Sequence, residues 1–402
     1  MKKILVINQY YYPDFASTGQ YAHDICLGLV KYGFSVTVIT GMPSYSENSP
    51  DAPFFEEIEG IKIYRVSLGG VKGREDKRIR FKGYVKFLIG AWKKAKEILN
   101  RENFDIILTF HNPPFVGFLG SLLAKKYKMK FIYIPYDIHP DILLKTGWKI
   151  PKIFTYLWEI INKFTFKIAA KIIVLSEGMK KTLVENKKVP ENKVTIIPLW
   201  GKPEVRLDTE SSLIRKELNI KDDELLLLYA GNMGVLYPLE IILDSAKKLN
   251  NIPVKFLFIG DGVKKKSLLE KVEKENIKNV YFLPFQNEKK FVQILNSSDI
   301  CIVIINKSLQ NLAFPSKTFT FLSAGKPVIT IANPDADIVK MISQYDCGWS
   351  VKDEDEFFLL ILSLYKCREK IKIKGVKARE TYEKVYKKEK IIENYIQVLN
   401  SL

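Results

Sequence analysis

Residues 4–39 read ILVINQYYYPDFASTGQYAHDICLGLVKYGFSVTVI. A short apolar run at 4–7 is followed by a polar and aromatic connection, and then by a segment at 21–32 whose apolar residues share one helical face. Gly33 is suited to end that helix, and residues 36–39 form a second β-branched run. A strand, a helix and a strand in this order predict one unit of a parallel sheet.

The same alternation continues along the chain in two series of short apolar runs. The first series occupies 61–66, 106–110, 131–134, 172–175 and 194–197, and the second occupies 225–230, 254–259, 280–283, 300–305 and 328–331. Two prolines and a glycine interrupt the pattern at 198–204, where we expect a hinge. We therefore predict an α/β fold of two Rossmann-like, doubly wound parallel-sheet domains that face a central crevice.

The predicted domains are an N-terminal domain at 1–199 and a C-terminal domain at 200–383. The remaining segment, 384–402, has apolar residues at helical spacing and is predicted to pack back on the N-terminal domain. Open parallel sheets bind ligands outside the carboxyl ends of their strands, so functional residues are expected in the loops that follow strands.

Composition excludes several classes of protein. The chain has 402 residues, of which 63 are Lys or Arg and 45 are Asp or Glu, for a formal net charge of +18. A hydrophobic fraction of 47% and a charged fraction of 27% exclude disordered, collagen-like and low-complexity chains. No apolar run approaches the roughly 18 residues that span a bilayer, and the run at 4–7 is too short for a signal peptide. We expect a cytoplasmic location.

Four cysteines and three histidines are scattered without the spacing of a disulfide framework or a zinc site. Reduced cysteines, no metal and no cofactor are therefore expected. The sequence also has neither a P-loop motif nor a nucleophile elbow, which leaves P-loop nucleotide hydrolysis and serine hydrolase chemistry without support.

The loop after the first predicted strand contains Thr18 and Gly19, two small residues that allow a ligand to approach the start of the next helix. The alternative is that Ser17 or Thr18 only caps the helix. The second domain repeats the design with Gly231, Asn232, Met233 and Gly234, whose backbone N–H groups are predicted to cradle a diphosphate, unless the loop is a turn without a ligand.

Two further loops of the second domain carry candidate residues. Gly260 and Asp261 open a stretch that begins like a dinucleotide fingerprint but lacks the third glycine, so we interpret it as a tight turn at the crevice. Pro315 and Ser316 are predicted to start a helix with Lys317 in its first turn, where a cation is unfavourable unless an anion binds. A solvated lysine without a ligand is the alternative.

These loops together resemble family 4 of the retaining glycosyltransferases, which has the two-domain GT-B architecture, and within it the exopolysaccharide and O-antigen branch that includes fucosamine transferases. The resemblance covers nearly the whole chain. It rests on the order and spacing of residues 8–19, 112–114, 136–141, 230–234, 283–286 and 315–327.

The resemblance implies transfer of a sugar, with retained anomeric configuration and without a metal, from a nucleotide sugar, with UDP the expected nucleotide. The acceptor would be a glycan or lipid-linked sugar in cell-surface polysaccharide synthesis. The resemblance makes 1–199 the acceptor-binding domain and 200–383 the nucleotide-sugar-binding domain. Implied donor residues are those of 231–234, Gly260 and Asp261, with Leu283 and Phe285 near the base and Pro315, Ser316, Lys317 and Thr320 along the predicted helix. Implied acceptor-side residues are Thr18, Gly19, Asn112 and Tyr136, and the implied catalytic residues are Asp137, His139 and Lys317.

Two positions depart from the family pattern. Thr320 stands where the family commonly has a glutamate that holds the ribose diol, which puts donor affinity or nucleotide identity in doubt. Tyr136 stands where a histidine often precedes the aspartate, so the sugar-contacting role passes to Asp137 or His139, with a buried structural Asp137 as the alternative.

Basic and apolar residues are mixed in two segments of the first domain. Residues 72–96 contain ten basic and two acidic residues together with an apolar stripe of Phe81, Val85, Leu88 and Trp92, and residues 145–171 repeat this mixture. Such helices can lie on an anionic membrane, which predicts a peripheral enzyme on the inner face of the cell membrane. The alternative is that both stripes pack on the domain itself.

Three other functions remain as alternatives to an active transferase. A donor-binding but weakly active or inactive homologue is suggested by Thr320. A nucleotide-sugar 2-epimerase would need more carboxylates and histidines for proton abstraction than the sequence offers. A nucleic-acid-binding protein is suggested by the isoelectric point of 9.4, but no nucleic-acid-binding module is present, so we expect no such partner.

Overall fold

The computed structural model describes residues 1–14, 16–45, 49–73, 77–145, 150–202, 212–235 and 237–402. These residues form two compact units, Met1–Pro198 with Ile391–Leu402, and Leu199–Lys390. Parts of three predicted segments lie outside the described residues, namely Pro203 of the hinge and Arg74 and Trp148 of the basic segments.

The first unit contains an eight-stranded sheet in the order β3-β4-β2-β1-β5-β6-β7-β8. Its strands are β1 (Lys3–Ile7), β2 (Ser35–Gly41), β3 (Phe55–Ile58), β4 (Ile61–Val66), β5 (Ile106–Thr109), β6 (Lys130–Tyr133), β7 (Lys171–Val174) and β8 (Val194–Ile196). Only β3 is antiparallel to its neighbour. Residues 4–7 of β1 are at most 1% exposed, because helices cover both faces of a parallel sheet.

Helices connect the strands of the first unit. They are α1 (Ser17–Lys31), α2 (Lys77–Leu99), α3 (Val116–Tyr127), α4 (Asp141–Lys145), α5 (Lys152–Ile168) and α6 (Glu177–Lys181), which continues as a π-helix (Thr182–Asn186). Helix α1 begins four residues before the predicted helix. Its N-cap is Ala16, and no side chain caps it, so the expectation that Ser17 or Thr18 caps this helix is wrong.

The second unit contains a six-stranded, wholly parallel sheet in the order β11-β10-β9-β12-β13-β14. Its strands are β9 (Leu225–Ala230), β10 (Val254–Ile259), β11 (Val280–Leu283), β12 (Ile300–Ile304), β13 (Val328–Ile331) and β14 (Gly348–Val351). In chain order this is 3-2-1-4-5-6, the doubly wound arrangement of nucleotide-binding domains.

The helices of the second unit are α7 (Ser212–Glu217), α8 (Glu240–Lys248), α9 (Lys265–Lys274), α10 (Glu288–Ser297), α11 (Lys317–Ser323), α12 (Asp337–Tyr345), α13 (Glu354–Lys366) and α14 (Glu369–Thr381). A π-helix (Tyr382–Tyr386) follows α14, and the last helix is α15 (Lys388–Asn400). From Ile391 onward, α15 belongs to the first unit. Its Tyr395 and Leu399 are each 1% exposed.

The predicted α/β fold with two parallel-sheet domains is confirmed. Two strands are not predicted by the apolar pattern, β3 and β14. Strand β3 reads FEEI and lies at a sheet edge with alternate residues exposed, so it has no continuous apolar run. Strand β14 reads GWSV and is likewise an edge strand. Edge strands are buried less than central strands, and their sequences carry a weaker signal.

Candidate functional site

The loop after β9 lies where the strand order of the second sheet reverses. Strand β9 pairs with β10 on one side and with β12 on the other. Residues 231–234 leave the carboxyl end of β9 at this point, which is where doubly wound sheets bind their ligands. Nucleotide binding by this loop stays a prediction.

Two of the four residues in this loop already use their backbone N–H groups within the protein. The N–H of Gly231 donates to the carbonyl of Ile259 at 3.0 Å, and the N–H of Met233 donates to that of Asp261 at 2.8 Å. The Met233 side chain is fully buried in the hydrophobic core of the unit. Gly231 and Met233 therefore hold the loop in place.

The other two loop residues, Asn232 and Gly234, differ in their backbone N–H groups. In the part of the chain that the structure describes, the N–H groups of Asn232 and Gly234 have no hydrogen-bond acceptor. The carbonyl of Asn232 accepts a 2.9 Å hydrogen bond from the Tyr229 hydroxyl, which fixes the plane of the peptide between Asn232 and Met233. Unpaired N–H groups at such a turn form a concavity suited to an anion.

The loop after β10 packs directly against the loop after β9. A Cβ atom at Gly260 would lie 2.1 Å from the carbonyl oxygen of Gly231, and one at Gly262 would lie 2.5 Å from that of Met233. Gly260 also has a φ angle of +134°, which side chains rarely permit. The exposed Asp261 carboxylate accepts a 2.8 Å hydrogen bond from the N–H of Gly262. Glycine at 260 and 262 is thus what allows the two loops to meet.

An exposed aromatic side chain follows β11. Phe285 is 76% exposed, whereas Leu283, the last residue of the strand, is partly buried. A large aromatic ring left in solvent at the carboxyl end of a strand offers a face on which a planar base can stack.

Lys317, the first residue of α11, has an amine whose charge is not neutralised. Its Nζ lies 4.4 Å from the centroid of the Phe291 ring, and no acidic side chain or hydrogen-bond acceptor reaches it among the described residues. Burial lowers the pKa of Lys317 to about 8. A partly buried cation without a counterion is a candidate anion ligand, because a bound anion would relieve its desolvation.

Thr320 is buried one turn into α11. The side chain is 1% exposed, and its hydroxyl accepts a 3.2 Å hydrogen bond from the N–H of Lys202 and donates a 2.8 Å bond to the carbonyl of the same residue. A Cβ atom at Gly201 would lie 2.8 Å from the carbonyl oxygen of Phe319, so the backbone at 201–202 packs closely on α11. The Thr320 hydroxyl therefore hydrogen-bonds to the protein backbone inside the second unit.

In the first unit, four polar side chains form a connected group at the carboxyl ends of β1, β5 and β6. The amide nitrogen of Asn112 lies 3.4 Å from the Thr18 hydroxyl and 3.0 Å from Nε2 of His111. The same Nε2 lies 3.1 Å from Oδ2 of Asp137. The structure thus brings together the predicted residues Thr18, Asn112 and Asp137.

His111 was not among the residues predicted from sequence. Its side chain is 4% exposed and connects Asn112 to Asp137. The sequence does contain one indication that His111 is functional. It directly follows the apolar run 106–110 and so places a polar group at the carboxyl end of a predicted strand. The signal is weak because a lone histidine in that place can also be a core residue.

Two of the predicted acceptor-side residues are explained by packing. Tyr136 is 6% exposed, and its ring contacts those of Phe110 and Tyr21 at centroid distances of 5.6 and 6.3 Å. A Cβ atom at Gly19 would lie 2.9 Å from the backbone of Tyr10, so this glycine permits close packing of α1 on the preceding loop. Acceptor contacts by Tyr136 and Gly19 stay predictions.

His139 is neutral at physiological pH. Burial lowers its pKa to about 4, although the nearby Asp137 carboxylate acts in the opposite direction. Its ring stacks on Trp158 at 6.0 Å and lies 6.4 Å from that of His111, centroid to centroid. A catalytic role for His139 stays a prediction.

No group of three or more His, Cys, Asp or Glu side chains is arranged to hold a metal ion in the described ranges. Within the same ranges, no helix is long and apolar enough to cross a membrane.

Comparison with known proteins identifies relatives along almost the whole chain. Residues 18–200 match Glycosyltransferase Family 4, and residues 210–381 match Glycosyl transferases group 1. The glycosyltransferase WbjE of Pseudomonas aeruginosa, so named, is 24% identical over 88% of this chain and 87% of its own. WcaI of Escherichia coli (strain K12), named for glycosyl transfer in colanic acid biosynthesis, is 22% identical over 98% of both chains.

Solved structures show the same fold. HepE of Anabaena, in complex with UDP and glucose, has a TM-score of 0.72 at 14% identity, with all of both chains covered. Sucrose-phosphate synthase from Thermosynechococcus elongatus has a TM-score of 0.77 at 15% identity and covers 100% of this chain and 99% of its own. The structural neighbours and the two doubly wound units show the GT-B fold. Because the two matched regions together span most of its length, the chain belongs to family 4 of the glycosyltransferases.

Proposed function

We propose that the protein is a retaining, metal-independent glycosyltransferase that uses a nucleotide sugar, with UDP as the nucleotide, and a glycan or lipid-linked acceptor in cell-surface polysaccharide synthesis. The observation that carries the proposal is the carboxyl edge of the second sheet. There, two backbone N–H groups (Asn232 and Gly234) and the amine of Lys317 have no partner among the described residues, and the ring of Phe285 is exposed. These groups offer partners for a diphosphate and a base.

The chemistry follows from charge. When the glycosidic bond to the diphosphate breaks, positive charge develops on the sugar and negative charge on the leaving phosphate. Fixed N–H groups and a protonated Lys317 stabilise that negative charge without rearranging during the reaction. A divalent cation can stabilise a leaving phosphate in the same way in other enzymes. The relative WcaI, named for colanic acid biosynthesis, and the neighbour HepE, solved with UDP and glucose, support the proposed acceptor and donor classes.

A thermal-shift screen against UDP, GDP and ADP, with and without EDTA, tests the donor assignment. A ligand at 100 times its Kd stabilises the folded protein by about 2.7 kcal/mol, which corresponds to roughly 5 to 10 °C for a unit of this size. We expect UDP to give the largest shift and EDTA to leave it unchanged. A shift that disappears with EDTA contradicts metal independence, and the absence of any shift at millimolar nucleotide contradicts the donor site.

We also propose that the first unit binds the surface of an anionic membrane. Helix α5 buries only Thr165 and Phe166 and leaves five large side chains 46–64% exposed: Ile153, Phe154, Tyr156, Leu157 and Ile160. Helix α2 likewise exposes Phe81, Val85 and Ile89. Exposed lysines flank both sets, for example Lys82, Lys86, Lys163 and Lys167. Apolar faces bordered by cations are typical of helices that lie in a lipid headgroup region.

Liposome flotation at physiological salt tests this second proposal. We expect wild-type protein to float with vesicles of phosphatidylcholine and phosphatidylglycerol. The double variant F154S/L157S should bind at least about 100-fold more weakly, because each of the two side chains loses roughly 1.5 to 3 kcal/mol of apolar insertion. The control L359S/V376S changes two residues of the second unit that are 61% and 60% exposed, and should bind as wild type. Failure of wild-type protein to float would refute membrane binding.

A further inference from the structure

His111 occupies a defined place between two adjacent strands. Strands β5 and β6 pair in parallel with Thr109 opposite Tyr133, so the residues that follow both strands emerge at one edge. His111 lies two residues after Thr109, and Asp137 lies four residues after Tyr133. The register therefore places the imidazole beside the carboxylate, with Nε2 and Oδ2 separated by 3.1 Å.

The contact specifies which nitrogen of His111 carries the proton. A carboxylate only accepts hydrogen bonds, so the 3.1 Å ion-pair distance between Nε2 and Oδ2 of Asp137 favours a proton on Nε2. Nδ1 is buried and has no hydrogen-bond partner within the described part of the protein, and a proton there would be an unsatisfied buried donor. A proton on Nε2 and none on Nδ1 satisfies both conditions. A 180° turn of the Asn112 amide presents its oxygen to the same N–H at the observed 3.0 Å.

The pair differs in exposure. His111 is 4% exposed, whereas the Asp137 side chain is 36% exposed. The carboxylate thus meets solvent, while the imidazole behind it is held by packing, including a contact of 5.7 Å between its ring centroid and that of Tyr136. A buried donor of fixed orientation restricts the rotation of a carboxylate that meets solvent.

We infer that His111 is a positioning residue that holds the Asp137 carboxylate ready to accept a hydrogen bond from a sugar hydroxyl of the acceptor. This role rests on the proposed transferase function. The positioning role accounts for a histidine at this buried position, which packing alone does not require and which the predicted roles of Asp137 and His139 do not include. The ligand class is a polyol, because a carboxylate in this place selects hydroxyl donors.

Histidine NMR tests the pairing without any substrate. The chain has only three histidines, so ¹⁵N-histidine labelling gives three ring systems, which single His→Gln variants assign. We expect His111 to be the Nε2–H tautomer, and its ring signals to move in Asp137→Ala more than those of His23. An Nδ1–H tautomer, or His111 signals unchanged in Asp137→Ala, would overturn the inference.

Steady-state kinetics test the positioning role of His111. The measured quantity is the rate of UDP release, with a UDP-sugar as donor and a polyprenyl-diphosphate-linked monosaccharide as acceptor. His111→Ala is expected to lower kcat by a factor on the order of 100, the scale of a misplaced reacting group. His111→Gln should recover most of this loss, since its amide N–H reaches about as far as Nε2, whereas the shorter His111→Asn should not. The double variant H111A/D137A should be no slower than Asp137→Ala, because the two residues act as a unit.

The outcomes separate this inference from the proposed function. UDP should stabilise His111→Ala as much as wild type, because the variant leaves the second unit untouched. If UDP stabilises neither protein, the proposed donor site is wrong. If UDP stabilises both but His111→Gln is as slow as His111→Ala, or the losses of the two single variants multiply, His111 does not act through Asp137 and the positioning role is wrong.

Discussion

Replacing Lys317 with alanine is expected to lower kcat/KM for the donor by about 100-fold to 1,000-fold, the loss of roughly 3 to 4 kcal/mol that follows removal of one preorganised donor to developing charge. The amine has no acidic partner among the described residues, so its charge is available to the leaving diphosphate. Initial rates of nucleotide release over a range of donor concentrations measure the effect.

Two further variants separate charge from packing. Lys317→Met keeps an apolar stem beside Phe291, which the lysine amine contacts at 4.4 Å, and should lose as much activity as alanine while keeping the Tm. Lys340→Ala removes a lysine whose side chain is 65% exposed and should behave as wild type. If Lys317→Met retains wild-type turnover, Lys317 takes no part in the mechanism.

The pKa of Lys317 adds a pH dependence to the same prediction. Burial lowers this pKa to about 8, so the free protein carries the charge below that pH and loses it above. Anion binding favours the charged form, and UDP affinity should therefore be nearly constant below pH 8 and fall by up to tenfold per pH unit above it. Lys317→Arg should abolish this fall, because arginine stays protonated throughout the range.

Replacing Thr320 with glutamate is expected to destabilise the protein by about 3 to 5 kcal/mol, the scale of an uncompensated buried charge. The threonine hydroxyl is 1% exposed and makes two hydrogen bonds to the Lys202 backbone, which a larger carboxylate would displace. Differential scanning calorimetry should show a Tm lower by about 10 °C for the affected unit, and turnover should not rise.

Thr320→Ser and Thr320→Val serve as matched controls. Serine keeps the hydroxyl and should stay close to wild type. Valine keeps the shape but loses both hydrogen bonds to the Lys202 backbone, which should cost about 1 to 3 kcal/mol. A Thr320→Glu protein with unchanged Tm and sharply higher turnover would instead support the view that the chain is an impaired transferase restored by the family glutamate.

The relation between sequence and site differs from loop to loop. The glycines and polar residues after the first strand of the second domain predicted a ligand loop, and the structure places it where the strand order reverses. Only the hydrogen bonds distinguish the two pairs of residues. Within the described ranges, the N–H groups of Asn232 and Gly234 have no acceptor, whereas those of Gly231 and Met233 do. That distinction depends on partners in a neighbouring loop, which spacing within 231–234 does not specify.

The α/β alternation, the two parallel sheets and the positions of most strands follow from the sequence alone, because buried strands and amphipathic helices carry local periodicity. The family resemblance followed from short motifs in order. The burial of Thr320 against Lys202, 118 residues away, the packing of Tyr136 and the pairing of His111 with Asp137 were decided by tertiary structure. These contacts join segments distant in the chain, and no local pattern of side chains encodes which partner each residue meets.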